Sequence, residues 1–182
     1  MGRLIEATHV SLGGEIGDIA WAFPYLDAEH QQYSWELLES AEALLLGRKT
    51  YQGLSAAYPA MEATAEGVFG EFVHRMNTIP KYVATTTLTE FSWNASKLGA
   101  DVVEAVRALK AEGDLVKFGT GPLDALLLEH RLVDEYHFWL APVVAPATVQ
   151  PLFEGVTGAP SLTLADVTRF ASGVVALRYT AP

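Results

Sequence analysis

Apolar positions along this chain follow two rhythms: short runs suited to buried strands, and spacings of three and four suited to helices. Leu4 to Leu12 predicts a first strand, with Leu4, Glu6, Thr8 and Val10 on one side and Ile5, Ala7, His9 and Ser11 on the other. Gly13-Gly14 ends it. Glu15 to Tyr25 carries the turn signals Gly17-Asp18 and Phe23-Pro24 but also Ile16, Ile19, Trp21 and Phe23, the composition of a loop that covers something. Asp27 is placed to cap a helix reaching about Ala41, with Tyr33, Leu37, Leu38 and Ala41 as its buried stripe. The densest apolar run, Ala43-Leu44-Leu45-Leu46, predicts a strand buried on both faces. Gly47 then turns the backbone into a helix that opens with Arg48, Lys49 and Thr50 and closes at Tyr58-Pro59.

Ala60 to Gly70 is small, acidic and without a firm period, an exposed connection before a short helix at Glu71 to Met76. Pro80 opens the strand Lys81-Tyr82-Val83-Ala84, which runs into three hydroxyls, Thr85-Thr86-Thr87; three β-branched residues can equally extend the strand. Asp101 with Glu104 forms a capping box for a helix with Val102, Val103, Val106 and Leu109 inward, stopped at Gly113. A strand at Leu115 to Phe118 leads into Gly119-Thr120-Gly121 and a helix from Leu123 to Glu129, with Pro122 at its first position. Glu135 to Val144 reads as a strand, and Leu162 to Arg169 with Val174 to Thr180 as an antiparallel hairpin. Strands alternating with helices, followed by strands alone, predict one α/β domain over 1–182. Its sheet is mostly parallel, covered by helices on both faces and finished by an antiparallel C-terminal hairpin.

Composition narrows what such a fold can do. The net charge of -10, with 12 Lys and Arg among 22 acids, argues against a nucleic-acid surface, which needs clustered cations. An anionic ligand must then be held by local positive spots against the overall field. Without cysteine there is no disulfide framework, thiolate nucleophile or Cys-type zinc site. No two of the five histidines lie closer than seven residues and no His-Glu-x-x-His stretch exists, so no metal is expected. The first residues lack a signal-peptide core and no apolar run approaches a membrane span, so a cytoplasmic protein with no membrane partner is the expectation.

Two strand-to-helix turns are suited to phosphate. At the first, the free N–H groups of a helix start, its positive dipole end, Arg48, Lys49 and a hydroxyl favour a dianionic group. At the second, Gly119 and Gly121 allow close backbone approach and form an anion nest. The plain alternatives are solvated charges at the first and an ordinary tight turn at the second.

These residues, with Val10-Ser11-Leu12-Gly13-Gly14, Leu45 to Tyr51, Pro80 to Val83, Phe118 to Gly121, Leu132-Val133-Asp134-Glu135, Pro142-Val143-Val144 with Leu152-Phe153, and Ser172 to Val175, follow a familiar order. That order resembles the dihydrofolate reductase-like superfamily, in particular the reductase domain of bifunctional riboflavin-biosynthesis proteins and its stand-alone bacterial relatives. The resemblance implies a three-layer dihydrofolate reductase-like fold, NADPH as cofactor with NADH as the alternative, and a hydride-transferring reductase of a small heterocycle. It places Gly47, Arg48, Lys49 and Thr50 at the cofactor's phosphate portion, Thr85, Thr86 and Thr87 near its adenosine side, and Gly119, Thr120 and Gly121 at the pyrophosphate. It also implies a homodimer, to which Tyr136, Phe138 and Trp139 would contribute unless they are core.

Substrate contacts are expected from His9, near the end of the first strand, from Asp18 and Trp21 in the first loop, and from Glu154. Glu15, Asp18 and Glu154 are candidate proton donors, His9 has a packing role as its alternative, and no catalytic residue is assigned. The chain departs from the family at Gly13, where an aspartate is common, at Thr86, where an Arg commonly grips a 2′-phosphate, and at Pro146, where a glycine-rich run is common. These departures favour the alternative of a non-catalytic nucleotide-binding or interaction protein. No deaminase zinc motif is present, so a bifunctional riboflavin protein is excluded.

Overall fold

Strand propensity and burial agree in the first element, β1 (Leu4–Val10), which is shorter than expected by its last two residues. Its burial is not one-sided: Glu6 and Thr8 are as enclosed as Leu4 and Ile5. The computed structural model describes residues 2–145 and 150–181. The expectation at Pro146 lies outside the described residues.

The elements that follow are a 3-10 turn (Ile19–Tyr25), α1 (Ala28–Glu39), β2 (Ala43–Gly47), α2 (Arg48–Met61), α3 (Gly67–Thr78), β3 (Lys81–Ala84), β4 (Ala95–Lys97), α4 (Val102–Glu112), β5 (Leu115–Phe118), α5 (Pro122–Glu129), β6 (Glu135–Leu140), β7 (Thr163–Arg169) and β8 (Val175–Thr180). This is an α/β fold with a mostly parallel sheet and antiparallel C-terminal strands, as the alternation of elements predicts.

The chain divides into two compact units, one of residues 1–3 and 31–117, the other of 4–30 and 118–182. In the first, β4, β3, β2 and β5 pair side by side and all parallel. Leu44, Leu45 and Leu46 are fully buried in its centre. In the second, β1 pairs parallel with β6, and β6 then pairs antiparallel with β8 and β8 with β7. Parallel strands need long crossovers, whereas Ala171-Ser172-Gly173 lets the last pair close as a hairpin.

Three expectations are corrected. Helix α2 continues through Pro59 to Met61 instead of closing at Tyr58, so the proline gives up one ladder hydrogen bond without ending the helix. Helix α3 starts at Gly67, not Glu71, and packs Phe72, Val73 and Met76 inward. The strand β4 was not anticipated; its three residues carry no period to read. Tyr136, Phe138 and Trp139 are 0%, 7% and 2% exposed, which makes them core and removes them as an exposed dimer surface. Tyr136 and Phe138 stack on each other, and Phe153 meets both edge-on.

Candidate functional site

In the first unit the phosphate-type turn is built as its residues suggest. Leu44 to Leu46 bring the strand out of the core, and α2 starts at Arg48 with no side chain capping it. Gly47 has φ -76°, a conformation open to any residue, so the sharp turn does not require glycine. A Cβ there would meet nothing within 4 Å, so the space over this helix start is open. Arg48 and Lys49 are exposed and Thr50 is half-buried.

The threonines lie at the same place in this unit. The strand stops at Ala84 instead of running on: the Thr85 hydroxyl accepts hydrogen bonds from the backbone N–H groups of Thr87 and Leu88, both at 3.2 Å. Such a turn competes with the sheet ladder and ends it. Arg48 then donates from its guanidinium to the Thr87 hydroxyl at 3.1 Å. One turn further along α2, buried Tyr51 accepts from the Ser92 N–H at 2.9 Å. Residues three apart share a helix face, so α2 grips the 87–92 segment at two points. Sequence reasoning named Arg48 and Thr87 but not their pairing, which spans 39 residues.

The second turn, in the other unit, differs from expectation. Gly119, at φ +74°, has the left-handed backbone that favours glycine, and its N–H donates to the Ala7 carbonyl at 2.9 Å. The Gly121 N–H donates to the Asp124 carboxylate, and the Asp124 N–H returns a bond to the Gly121 carbonyl at 2.9 Å. That is a reciprocal cap, and Asp124 is 2% exposed. Two N–H groups of the expected nest are thus committed within the chain, and a carboxylate stands where a pyrophosphate was expected. The acid three positions into the helix was the signal that reading the glycines alone passed over. An NADPH phosphate therefore fits the first turn, with its open helix start, cations and hydroxyls, and does not fit the second as it stands.

His9 lies between two rings, 4.9 Å from His30 and 4.8 Å from Trp139, centroid to centroid. Burial, with the neighbouring His30 ring, pushes its pKa down to about 3. Burial lowers His30 to about 4 even though Asp27 pulls the other way. Both are neutral imidazoles at physiological pH, so neither supplies a proton as a cation. Asp27 accepts from the N–H groups of His30 and Ser172, and these bonds outweigh burial and hold its carboxyl below the ordinary range.

The loop candidates separate by environment. Asp18 caps the 3-10 turn by accepting from the Ala20 N–H at 3.1 Å, and Glu154 is exposed and takes a hydrogen bond from Gln150. Glu15 is half-buried, with one carboxylate oxygen enclosed and without a hydrogen bond. Trp21 is half-buried with an enclosed indole N–H that has no hydrogen bond, whereas Phe23 is 60% exposed. Ser11 closes this loop by accepting from the N–H groups of Gly13 and Glu15.

A cavity of about 400 Å³ in the first unit is lined by Lys81, Phe91, Trp93 and Asn94 among others, and holds none of the expected site residues. The Lys81 ammonium is committed to the Ile79 carbonyl at 2.7 Å and to the face of Trp93. Among the described residues no group of three His, Asp or Glu is arranged to hold a metal, and no helix is long and apolar enough to cross a membrane.

The model of one family, the RibD C-terminal domain, matches residues 6–176. A sequence search of curated proteins finds no match. Among solved structures, a protein of Shewanella sp. PV-4 ascribed to riboflavin biosynthesis is similar over 99% of both chains, with 17% identity and a TM-score of 0.72. A pyrimidine reductase-like protein of Corynebacterium diphtheriae is similar over 100% of this chain and 92% of its own, at 13% identity and TM-score 0.68. The riboflavin biosynthesis reductase Rib7 of Saccharomyces cerevisiae aligns over 100% and 90%, at 12% identity and TM-score 0.61. At these identities the structural likeness speaks to fold.

Proposed function

We propose a function from the premise that this chain belongs to the RibD C-terminal domain family: it is a pyrimidine reductase-like oxidoreductase that uses NADPH to reduce a small heterocycle. The observation that carries the cofactor reading is the Arg48–Thr87 hydrogen bond, which joins the open, cationic start of α2 to the threonine turn in one anion site. Arg48 and Lys49 supply charge, the uncapped N–H groups supply donors, and Thr86 and Thr87 supply exposed hydroxyls. A 2′-phosphate suits that set, so Arg48 takes over from the family's Arg, whose place is held here by Thr86.

When bound, NADPH supplies the hydride; the protein has to orient the partners, exclude water and deliver a proton. Neutral His9, backed by His30 and Trp139, presents imidazole nitrogens that hydrogen-bond a flat substrate without adding charge. Trp21 adds an apolar face and an indole donor. Glu15 is our assignment for proton delivery, since its enclosed oxygen distinguishes it from the solvated Glu154 and the capping Asp18.

The test is a pair of calorimetric titrations with NADPH and NADH at one fixed salt concentration, followed by an assay of NADPH oxidation with an aminopyrimidine or a pteridine. One-to-one binding with at least tenfold preference for NADPH, about 1.4 kcal/mol, and turnover of a heterocycle are expected. Binding of neither dinucleotide overturns the cofactor reading. Tight binding with no turnover of any heterocycle favours the non-catalytic reading, which the committed second turn also supports.

A further inference from the structure

We propose that the cavity beside β3 in the first unit is a second ligand site, one that takes a small planar carboxylate with Lys81 as its counter-ion. It shares no residue with the anion site at the start of α2 and does not depend on the NADPH reading. Residues 80–82 and 91–96 wall it, and its volume of about 400 Å³ lies in the range of small-molecule sites. Lys81 is 1% exposed. A buried charge is ordinarily matched by an opposite one, because its desolvation is otherwise uncompensated. Here the ammonium has the Ile79 carbonyl at 2.7 Å and the face of Trp93, with the ring centroid 4.1 Å away, and among the described residues no carboxylate pairs with it. The charge that acts on it is that of Arg75, which has the same sign. Burial, and then Arg75, lower its pKa to about 8, so an anion in the cavity favours the charged form.

The wall is held in a costly conformation. Trp93 and Asn94 stand next to each other at φ +58° and +51°, the left-handed region that a bulky residue rarely enters. Neighbours fix them there. The Trp93 indole N–H donates to the Asn77 side-chain oxygen at 2.6 Å, its ring stacks 6.0 Å from Tyr58, and the Asn94 side-chain amide donates to the Thr78 carbonyl at 2.7 Å. Strain that neighbours over-determine collects at ligand clamps, and here it keeps Trp93 against the ammonium. A lysine has three N–H donors, so one carbonyl and one ring leave one for a ligand oxygen. The ligand class follows from the donor set. A phosphate is suited by several donors or a helix start, whereas the described lining residues supply one cation and no helix start. A single carboxylate matches one ammonium, and Phe91, Ser92 and Ser96, which line the same cavity, offer a ring and hydroxyls to the rest of a small planar molecule.

The experiment is a set of backbone-amide NMR titrations at one fixed salt concentration, with benzoate, its uncharged counterpart benzamide, and inorganic phosphate. Lys81→Met is the variant, since it keeps a long stem and drops the charge. Benzoate is expected to move the amides of Lys81, Tyr82 and Phe91 to Ser96 saturably, with benzamide and phosphate at least about tenfold weaker there. Lys81→Met should weaken benzoate at the cavity by at least about tenfold. Should that variant fail to fold, the comparison of benzoate with benzamide on the wild type still decides. Benzamide or phosphate binding the cavity as well as benzoate, benzoate retained by folded Lys81→Met, or no response of these amides to benzoate overturns the site.

Discussion

Helices α2 and α5 begin alike and end in opposite chemistry. Each follows a short buried strand and a glycine, but the first turn of α2 carries Arg48 and Lys49 whereas that of α5 carries Asp124. At the third helical position one carries Thr50 and the other Asp124. Arg48 and Lys49 make the α2 start cationic and Thr50 leaves it uncapped, whereas Asp124 caps the α5 start from within. A glycine turn before a helix is therefore not an anion site in itself. What decides is whether the chain's own side chains leave the N–H groups free.

The units differ also in their buried polar groups: the first encloses Lys81, Lys110 and Lys117, and the second holds the neutral imidazoles of His9 and His30. Acid should expose that difference most strongly. His9 and His30 are held down to about 3 and about 4, against 6.5 in an unfolded chain. The unfolded chain thus takes up protons first, so stability is complete above pH 6.5 and falls as pH drops toward 4. The slope reaches up to about 1.4 kcal/mol per pH unit for each histidine. Urea midpoints between pH 7 and 4.5 should fall accordingly, and His9→Phe should remove about one proton's share. An unaltered slope in that variant would break the assignment of neutral histidines.

Next in size is Arg48→Ala. Losing a charge-assisted hydrogen bond to phosphate costs about 2 kcal/mol, or roughly 30-fold in NADPH affinity. On the proposed reading, in which Arg48 serves the 2′-phosphate, NADH binding should change by less than about threefold. Equal losses for both dinucleotides would mean that Arg48 holds the turn together instead of reading the phosphate.

Asp124→Ala sharpens the comparison at the other helix. Removing an N-terminal cap costs about 1 kcal/mol of stability. Urea midpoints should fall by that amount, and an unchanged midpoint would break the assignment of the cap. The equivalent change at α2, Thr50→Ala, removes no cap bond and should leave stability within about 0.5 kcal/mol.

Legibility followed the range of the interaction. The α/β order, the helix from Arg48, the Asp101 cap and the closing hairpin rest on local patterns of apolar spacing and turn residues, and all could be read from the chain. The Thr85 turn was legible only as one of two alternatives, because hydroxyl capping and strand extension use the same residues. What stayed hidden were partners distant in sequence. Nothing local says that Arg48 meets Thr87, that His9 stacks on His30, or that Tyr136 and Trp139 are enclosed. The Asp124 cap is the exception, three residues from its partner and readable in principle; the weight given to the glycines obscured it.

The smallest expected effect tests whether the first turn owes its precision to its supports. Tyr51 touches no proposed ligand group, yet its hydroxyl takes the Ser92 N–H one helical turn from where Arg48 takes Thr87. Tyr51→Phe keeps the ring, which packs 6.0 Å from Phe91, and deletes the hydroxyl's contacts with the N–H, carbonyl and side chain of Ser92. Since Ser92 is exposed, water replaces the lost partner, and stability should fall by no more than about 1 kcal/mol. If the tie positions the threonine turn, NADPH affinity should drop by about threefold with 2′-AMP falling in step, while NADH stays level. A stability loss with all three affinities intact would make Tyr51 a packing residue and leave the anion site resting on Arg48 and the free helix start alone.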